Sequence, residues 1–453
     1  MTTFIRPHDL QSWQQRDLSV LWHPCTQMSE HPNTLPLIPI RSAHGVWLED
    51  IDGKRYLDAI SSWWTNLFGH SEPRIAQAIA TQAKTLEHVI FAGFSHEPGL
   101  QLAEQLVQLS PANLNRVFYA DNGSAAVEIA LKMSFQFFAN QGKQSKQRFM
   151  ALSNGYHGET LGALSMADVP LYRQVYSPLL LEPIFAPCPD HIEQRENETD
   201  IECAIRCADR LEQLVRLHQH ELCAFILEPL VQCAGGMRMY HPIYLEQARR
   251  ICSQYGIHLI ADEIAVGFGR TGTFFACEQS AISPDFLCLS KGLTGGFLPM
   301  SAVLTTDEVF NVFLSSDRSR GFLHSHSYTG NPLGCAVALA SLAIFNDDHI
   351  IERNRISAAL IQQHMAKLVM HPHVANLRQT GMIAAFDLVQ TSKHSYPVEQ
   401  RCGLKAYRAG LKRGAVLRPL GDTLYWMPPY CINSEQLQFL ADVTSQTIEE
   451  ACA

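Results

Sequence analysis

From about Arg116 to Tyr328 the chain alternates short apolar runs with helical stretches. The runs are rich in residues that favour strands, and the stretches between them are long enough to form helices. Strands that are joined through helices build parallel βαβ units, in which helices cover the faces of the sheet. The alternation therefore predicts an α/β fold with a mainly parallel sheet.

With 453 residues, the chain is longer than one hydrophobic core usually supports. A hairpin is predicted around Asp52-Gly53, and after about Asn331 a long helical pattern leads into a second block. We therefore expect a segment 1–64 that packs with a small C-terminal domain 336–453, and a large domain 65–335 between them.

Two of the predicted buried strands end in a charged residue. Asp262 ends one of these runs, and Lys291 follows the next. In an α/β sheet, neighbouring strand ends of this kind meet in one crevice. Desolvation lowers the pKa of a lysine and frees a nucleophilic amine, as Schiff-base chemistry requires. A lysine for the aldehyde and a carboxylate for the ring nitrogen are what pyridoxal phosphate needs, so this pair predicts a site for that cofactor.

Both residues also have ordinary structural explanations. Lys291 could extend its ammonium from a strand end into solvent, and Asp262 could cap a helix. For the lysine alone the structural explanation is the better one. The two residues together favour a functional site, because perturbed titratable groups cluster at such sites.

Three further segments offer groups for a phosphate or a flat ring. Gly123 and Ser124 follow a strand and open a helix, whose backbone N–H groups favour an anion, although a plain strand-to-helix turn explains them equally well. Tyr156 lies beside His157 between two glycines and could stack on a ring or belong to the core. The loop 324–332 has the HxH spacing of metal ligands, but its hydroxyl groups suit a phosphate better, so we expect no metal.

Net charge and hydropathy exclude two classes of partner. A net charge of −9 and a pI near 6.1 argue against nucleic-acid binding, which usually needs a basic surface. The longest apolar run, at about 335–345, is far shorter than a membrane span. The polar stretch 1–17 contains no apolar signal core. We therefore expect a cytoplasmic protein without nucleic-acid or membrane partners.

The 13 cysteines are scattered and form no CxxC pair, which is typical of a reducing compartment. Cys203 and Cys207 have the spacing of two zinc ligands on a helix. A buried helix face shared with Ile201, Ile205 and Leu211 is the better interpretation.

Five segments of the chain form an ordered set: DNGSAAVEIALK, NGYHGET, LIADEIAVGFGRTG, CLSKGLTGG and HSHSYTGNPLGCAVA. Together they resemble the class III aminotransferases, which are fold type I enzymes that depend on pyridoxal phosphate. The resemblance covers most of the chain. It implies a large domain with a mainly parallel seven-stranded sheet between helices, together with a smaller α+β domain.

The resemblance also implies roles for single residues. Lys291 would bond to the cofactor aldehyde and move a proton, Asp262 would pair with the ring nitrogen, and Tyr156 would stack on the ring as a third catalytic residue. Ser327 corresponds to a family threonine that reaches the phosphate from the neighbouring subunit, which implies a homodimer with shared active sites. The other implied cofactor-binding residues are Gly123, Ser124, His157 and Glu228.

Segments outside the cofactor motifs, namely WHPCTQM, SSWW, EPLVQCAGGMRMY and LRPLGDTLYWMPPY, resemble one branch of this family, which acts in biotin biosynthesis. The implied ping-pong reaction moves the amino group of S-adenosylmethionine to 8-amino-7-oxononanoate and gives 7,8-diaminononanoate. Arg418 would bind the oxononanoate carboxylate, or it could instead pair with Asp422. The other implied substrate-binding residues are Cys25, Trp63, Trp64, Tyr156, Lys291 and Ser325.

Several alternatives stay open at this point. Cys25 stands where the branch commonly has tyrosine, and the HSHS loop also differs from the common form, so both bear on which donor fits. Trp63 and Trp64 are adjacent, so at least one could fill the core or a dimer interface. Lysine could be the donor, the enzyme could be another class III ω-amino acid transaminase, or the protein could bind the cofactor without catalysis.

Overall fold

A computed structural model describes residues 10–391 and 394–453. Part of the polar stretch 1–17 lies outside these residues. The described strands are β1 Ile40–His44, β2 Trp47–Asp50, β3 Arg55–Asp58, β4 Leu114–Ala120, β5 Arg148–Leu152, β6 Ile184–Ala186, β7 Leu222–Leu227, β8 Val231–Gln232, β9 Arg238–Met239, β10 His258–Asp262, β11 Phe286–Leu289, β12 Ser301–Thr306, β13 Val374–Thr380, β14 Ile383–Thr391, β15 His394–Ser395, β16 Ala415–Val416 and β17 Thr423–Trp426.

Helices alternate with the strands through the middle of the chain and close its C-terminal part. The described helices are α1 Leu10–Val20, α2 Ser61–Trp64, α3 Pro73–Gln82, α4 Glu97–Leu109, α5 Gly123–Asn140, α6 Leu161–Ser165, α7 Pro170–Arg173, α8 Asp200–His218, α9 Ile243–Tyr255, α10 Asp307–Val312, α11 Pro332–Asp347, α12 Ile350–Ala366, α13 Cys402–Lys412 and α14 Ser434–Cys452. Short 3-10 turns join several of these elements.

The central sheet has seven strands in the order β4-β12-β11-β10-β7-β5-β6. β10 pairs in parallel with β11 and β7, and β5 pairs in parallel with β7 and β6. Only β12 runs against its neighbours β11 and β4. The residues of β7, β10 and β11 are buried throughout, as expected for strands that are covered on both faces. The predicted α/β fold with a mainly parallel sheet is confirmed.

Three smaller sheets lie outside the central one in the described residues, and the smallest is the antiparallel pair β8-β9. The predicted hairpin around Asp52-Gly53 forms between β2 and β3, and β16 pairs in parallel with β3. Residues from the N-terminal and C-terminal parts therefore share one sheet, in the order β1-β2-β3-β16. β13, β14 and β15 form another sheet, with β17 paired to β14. The predicted domain boundaries at 64/65 and 335/336 stay a prediction.

The strand order places the carboxyl ends of β4, β5, β7, β10 and β11 at one edge of the central sheet. β4 leads directly into α5, where the Asn122 side chain caps the helix by accepting a hydrogen bond from the N–H of Ala125 at 3.0 Å. The loops that carry the functional residues predicted from the sequence therefore begin at the same edge of the sheet.

The predicted cysteine face of α8 is only partly correct. Cys203, Cys207 and Leu211 are buried, whereas Ile201 and Ile205 are 47% and 43% exposed. The two isoleucines lie two positions before the cysteines, about 200° around the helix, and therefore point the opposite way.

The structure also bears on metal binding and on membrane spanning. Within residues 10–391 and 394–453, no group of three or more His, Cys, Asp or Glu side chains could hold a metal ion. No single helix in the same ranges is long and apolar enough to cross a membrane. The bent pair α11 and α12 meets that criterion together, by length and composition only.

Candidate active site

Asp262 is the last residue of β10 and lies buried at the carboxyl edge of the sheet. One carboxylate oxygen, Oδ2, is 2.7 Å from Nδ1 of His157, and the other accepts a hydrogen bond from the N–H of Ile264. His157 is also buried, and its Nε2 atom has no hydrogen-bond partner in the described part of the chain. The histidine therefore fixes the orientation of the Asp262 carboxylate.

Lys291 follows β11, the neighbour of β10, and so shares the crevice with Asp262. Its side chain is partly exposed toward the crevice, yet the surrounding protein desolvates the ammonium and lowers the pKa of Lys291. Nζ lies 4.8 Å from the ring centroid of Trp64, and no described residue forms a hydrogen bond or ion pair with it. An amine with a lowered pKa and no polar partner is available for bonding to a carbonyl carbon.

Glu228 follows β7 and is buried. Its carboxylate accepts hydrogen bonds at 3.0 Å from the N–H groups of Tyr156 and Cys233, so it fixes the backbone at Tyr156. Burial raises the pKa of Glu228 to about 7, and the nearby Asp262 carboxylate adds to this effect.

Tyr156 continues the site toward the surface. Its hydroxyl donates a hydrogen bond to Oε1 of Glu159 at 3.0 Å, and its ring packs edge-on against Tyr172 at a centroid distance of 5.5 Å. Burial is the largest of the effects that raise the pKa of Tyr156. The tyrosine is therefore a neutral hydroxyl at ordinary pH.

The start of α5 lies beside the Tyr156 segment. Ser124 Oγ accepts a hydrogen bond from the N–H of Glu159 at 3.3 Å. Gly158 adopts a φ of 124°, and a Cβ atom there would lie 2.1 Å from Ser124 Oγ. Only glycine fits at this contact, so the backbone of Gly158 lies directly against Ser124 at the N-terminus of α5, where backbone N–H groups favour an anion.

A groove of about 1360 Å³ lies beside this crevice. Its walls come from the N-terminal segment, the loop after β5 and the C-terminal part of the chain. Cys25, Trp63 and Arg418 line it, together with Glu159 and Tyr425. The exposed thiol of Cys25 lies 3.7 Å from Oε1 of Glu159. Ser325 and Ser327 are exposed and do not line this groove.

Arg418 and the two tryptophans take different positions. The Arg418 guanidinium carbon lies 4.8 Å from the ring centroid of Trp63, which is 37% exposed. Trp64 is buried, and its Nε1 donates a hydrogen bond to the Tyr425 hydroxyl at 3.0 Å. The expectation that one of the adjacent tryptophans fills the core is confirmed for Trp64.

No acidic side chain in the described residues pairs with Arg418. The Asp422 carboxylate instead accepts a hydrogen bond from the N–H of Gly403 at 2.7 Å. The alternative of an Arg418–Asp422 ion pair is therefore wrong. Arg418 lies in the groove as a guanidinium without a carboxylate partner.

The sequence did not identify Glu159, Tyr172 and Tyr425 as site residues. Glu159 and Tyr425 belong to segments that the family resemblance includes, so their polar side chains offered a signal for site residues. Tyr172 lies in α7, where no pattern in the sequence distinguishes it from other surface tyrosines.

The donor set fits pyridoxal phosphate. The crevice holds an unpaired lysine amine, a buried carboxylate and, at His157 Nε2, a buried polar atom without a partner. The helix start with its Ser124–Gly158 contact suits a phosphate. An aldehyde, a pyridine nitrogen and a phosphate on one planar ring would match these groups.

Comparison with known proteins agrees with this geometry. The family model described as "Aminotransferase class-III" matches residues 28–448. The chain belongs to the class III aminotransferases. It is therefore a transferase that depends on pyridoxal phosphate, as the sequence predicted.

Relatives of this class III aminotransferase cover nearly its whole length. A Helicobacter pylori protein named adenosylmethionine-8-amino-7-oxononanoate aminotransferase is 48% identical over 93% of the chain and 94% of its own length. A Geobacter sulfurreducens protein of the same name is 40% identical over 97% and 98%.

Two solved structures extend the comparison to the fold. The crystal structure of the aminotransferase of that name from Methanocaldococcus jannaschii has a TM-score of 0.92 at 36% identity and covers 98% of the chain and all of its own. An omega transaminase from Pseudomonas jessenii, in complex with PMP, has a TM-score of 0.92 at 29% identity, with 97% and 98% covered. The fold type I architecture is confirmed.

Proposed function

We propose that this class III aminotransferase moves the amino group of S-adenosylmethionine to 8-amino-7-oxononanoate. The product is 7,8-diaminononanoate, in a step of biotin biosynthesis. Relatives of 48% and 40% identity carry the name of this reaction over almost the whole chain, whereas the omega transaminase from Pseudomonas jessenii is 29% identical.

The observation that carries the proposal is the position of Arg418. A guanidinium in this groove, with no acidic partner among the described residues, suits a substrate carboxylate, which it can bind through two hydrogen bonds. The face of Trp63 keeps the guanidinium in place. The oxononanoate carboxylate would bind at Arg418, and the chain would extend along the groove toward Lys291.

The cofactor, when bound, supplies an electron sink for the carbon that loses its proton. Lys291 would hold the aldehyde end of the cofactor, and its amine would take up and release the proton of the reacting carbon. Asp262 would keep the ring nitrogen protonated, and His157 holds that carboxylate in place. Tyr156 would stack on the ring, while Glu228 fixes the backbone that carries Tyr156.

The phosphate would bind at the start of α5, to the backbone of Gly123 and the hydroxyl of Ser124. We propose a homodimer in which Ser327 reaches the phosphate of the neighbouring subunit and Ser325 contacts its substrate. Both serines are exposed and neither lines the chain's own groove, which supports this assignment. Cys25 and Trp63, which line the groove, would form the substrate wall, whereas Trp64 lies behind them in the core and does not contact the substrate. We place the enzyme in the cytoplasm.

The test uses the purified enzyme loaded with pyridoxal phosphate. It is mixed with 8-amino-7-oxononanoate and either S-adenosylmethionine or lysine, and 7,8-diaminononanoate is measured by mass spectrometry. Product with S-adenosylmethionine alone is expected. Product with lysine alone would keep the acceptor but replace the donor. Product with neither, together with activity on 4-aminobutyrate and pyruvate, would overturn the proposal in favour of another ω-amino acid transaminase.

A substitution tests whether the chemistry depends on the crevice. Lys291→Ala is expected to abolish product formation, because no other described amine lies at the end of β11. Lys412 is a matched control, since it pairs with Glu450 on the surface, and Lys412→Ala should keep full activity. Substantial turnover by a folded Lys291→Ala enzyme would contradict the assigned role.

A further inference from the structure

The two tryptophans stand on α2, which is a single left-handed turn and not a right-handed α-helix. Ser61, Ser62, Trp63 and Trp64 have φ angles of 51°, 46°, 73° and 71°, so four consecutive residues other than glycine are left-handed. This conformation is unfavourable for any residue with a side chain, because its Cβ atom crowds the following carbonyl oxygen. Such a turn persists only where surrounding contacts determine it strongly.

Asp58 supplies those contacts. It is fully buried at the end of β3, and its carboxylate accepts hydrogen bonds from four donors. Oδ1 accepts from the N–H groups of Ile60 at 3.3 Å and Ser62 at 3.0 Å. Oδ2 accepts from Ser62 Oγ at 2.7 Å and is 3.0 Å from His70 Nε2. One carboxylate therefore holds both the entry and the second residue of the turn.

Neighbouring groups keep this arrangement in place. Nδ2 of Asn66 lies 3.1 Å from His70 Nδ1, which assigns the ring proton to Nε2, the atom that faces Asp58. Ser61 Oγ donates to the carbonyl of Met427 at 2.7 Å, which ties the turn to the C-terminal part. The carboxylate thus has a full set of partners and no free oxygen for substrate.

The turn decides where the two indole rings lie. Trp63 faces the groove with its ring against Arg418, and Trp64 faces inward with its ring 4.8 Å from Lys291 Nζ. A right-handed helix would rotate successive side chains in the opposite sense. A change of hand would therefore move at least one indole ring away from its partner.

We propose that Asp58 is a positioning residue for the transamination. Its carboxylate holds the left-handed turn Ser61–Trp64 and thereby sets Trp63 against Arg418 and Trp64 beside Lys291. The inference rests on the proposed function, since the role of Arg418 is part of it. Asp58 touches neither substrate nor cofactor, and it acts through the two indole rings.

The competing explanation is that Asp58 only stabilises the fold. Asp50 offers a matched comparison, because it is a buried aspartate at the end of β2 in the same sheet. It accepts hydrogen bonds from the N–H groups of Asp52 and Lys54 and from the Tyr56 hydroxyl, but it does not reach the turn. A merely structural loss should look alike in Asp50→Asn and Asp58→Asn.

The experiment compares Asp58→Asn, Asp50→Asn and the double variant Asp58→Asn/Ser62→Gly. Asparagine has only one acceptor oxygen, whereas the four donors around Asp58 use both oxygens of the carboxylate. We expect Asp58→Asn to raise the KM for the oxononanoate by about 3- to 30-fold, in line with the loss of one cation–π contact, while Asp50→Asn leaves it unchanged. Glycine adopts positive φ without strain, so Ser62→Gly should restore most of the loss.

A second readout does not depend on turnover. Hydrogen exchange of the amides of Thr65 and Asn66, which donate to the Ser61 carbonyl, should be faster in Asp58→Asn than in wild type and slower again in the double variant. Ser62→Ala, which removes only the 2.7 Å hydroxyl contact, should show a smaller change in the same direction.

The outcomes separate the two proposals. Equal KM values in Asp58→Asn and wild type, equal losses in both asparagine variants, or no rescue by glycine would overturn the role of Asp58. Failure of the wild-type enzyme to convert the oxononanoate would overturn the proposed function instead. The hydrogen-exchange comparison would still report whether Asp58 holds the turn.

Discussion

Arg418 and Trp63 form a stacked pair in the groove, with the guanidinium carbon 4.8 Å from the indole centroid. The indole holds the arginine from one side and leaves its N–H groups free. Because the N–H donors of a guanidinium lie in the plane of the group, its face can stack on the indole while its edge binds a carboxylate. The pair therefore has the form of a preorganised carboxylate receptor.

Loss of the guanidinium should weaken acceptor binding selectively. Arg418→Ala is expected to raise the KM for 8-amino-7-oxononanoate by about 10- to 100-fold, since charge-assisted hydrogen bonds are worth about 1.5–3 kcal/mol. The donor KM should change much less. Steady-state kinetics with each substrate varied would check this, with Arg413→Ala as the control, because Arg413 pairs with Glu450 on the surface. Equal losses for both substrates would rule out the assignment.

The two tryptophans should respond differently to substitution. Trp64 is 3% exposed and donates a hydrogen bond to the Tyr425 hydroxyl, so Trp64→Ala should lower the free energy of unfolding by about 3–5 kcal/mol. Trp63 is 37% exposed, so Trp63→Ala should change stability little but raise the KM for the oxononanoate. Urea denaturation and kinetics on both variants would check this. Similar unfolding midpoints for the two would contradict the burial difference.

Cys25 should react slowly with alkylating reagents despite its exposure. Partial burial and the Glu159 carboxylate raise the pKa of the Cys25 thiol, so little thiolate is present at pH 7. We expect iodoacetamide labelling of Cys25 to speed up toward pH 9 and to slow when the oxononanoate is bound. Peptide mass spectrometry would follow the adduct, with Cys25→Ser as the unlabelled control. Labelling of Cys25 that is equally fast at pH 6 and pH 9 would be inconsistent with a raised pKa.

Acid should destabilise the protein partly through His258. Burial lowers the pKa of His258 from 6.5 to about 4, and its Nδ1 lies 2.8 Å from Ser134 Oγ. Between pH 6.5 and about pH 4, the His258 imidazole is therefore protonated in the unfolded chain and neutral in the folded one. The contribution of His258 is complete above pH 6.5 and is lost as the pH falls toward 4, by about 3 kcal/mol in total. Urea unfolding at pH 7 and pH 4.5 should show less acid loss in His258→Gln than in wild type.

Much of the crevice could be predicted from the sequence. The apolar runs that end at Asp262 and just before Lys291 are long enough for buried strands, and parallel neighbours must end at the same edge. Only the reversal of β12 left no sign in the sequence, because an antiparallel strand that is covered on both faces is as apolar as a parallel one.

The groove could be predicted less well. The SSWW segment contains no glycine, and residues other than glycine seldom adopt positive φ, so local preferences argue against the turn that the structure contains. The buried contacts of Asp58 impose it. The sequence does not distinguish Tyr172 for a related reason, since only the folded chain brings α7 next to Tyr156.

The predicted apolar face of α8 is partly wrong, because composition alone does not give the direction of each side chain around the helix. Ile201 and Ile205 are as apolar as their neighbours, yet the helix turns them outward. Helical periodicity, applied to each residue, would have separated the cysteines from the isoleucines.

The hydrogen bond from Trp64 to Tyr425 joins residues that are 361 positions apart. During synthesis, a ribosome makes Trp64 early and Tyr425 almost last. The indole beside Lys291 therefore gains its partner only when the chain is nearly complete. A nascent chain that stops before β17 would already carry the lysine and the carboxylate. It would lack the Tyr425 hydroxyl to which the Trp64 indole donates, so this side of the lysine crevice takes its final form only when translation is almost complete.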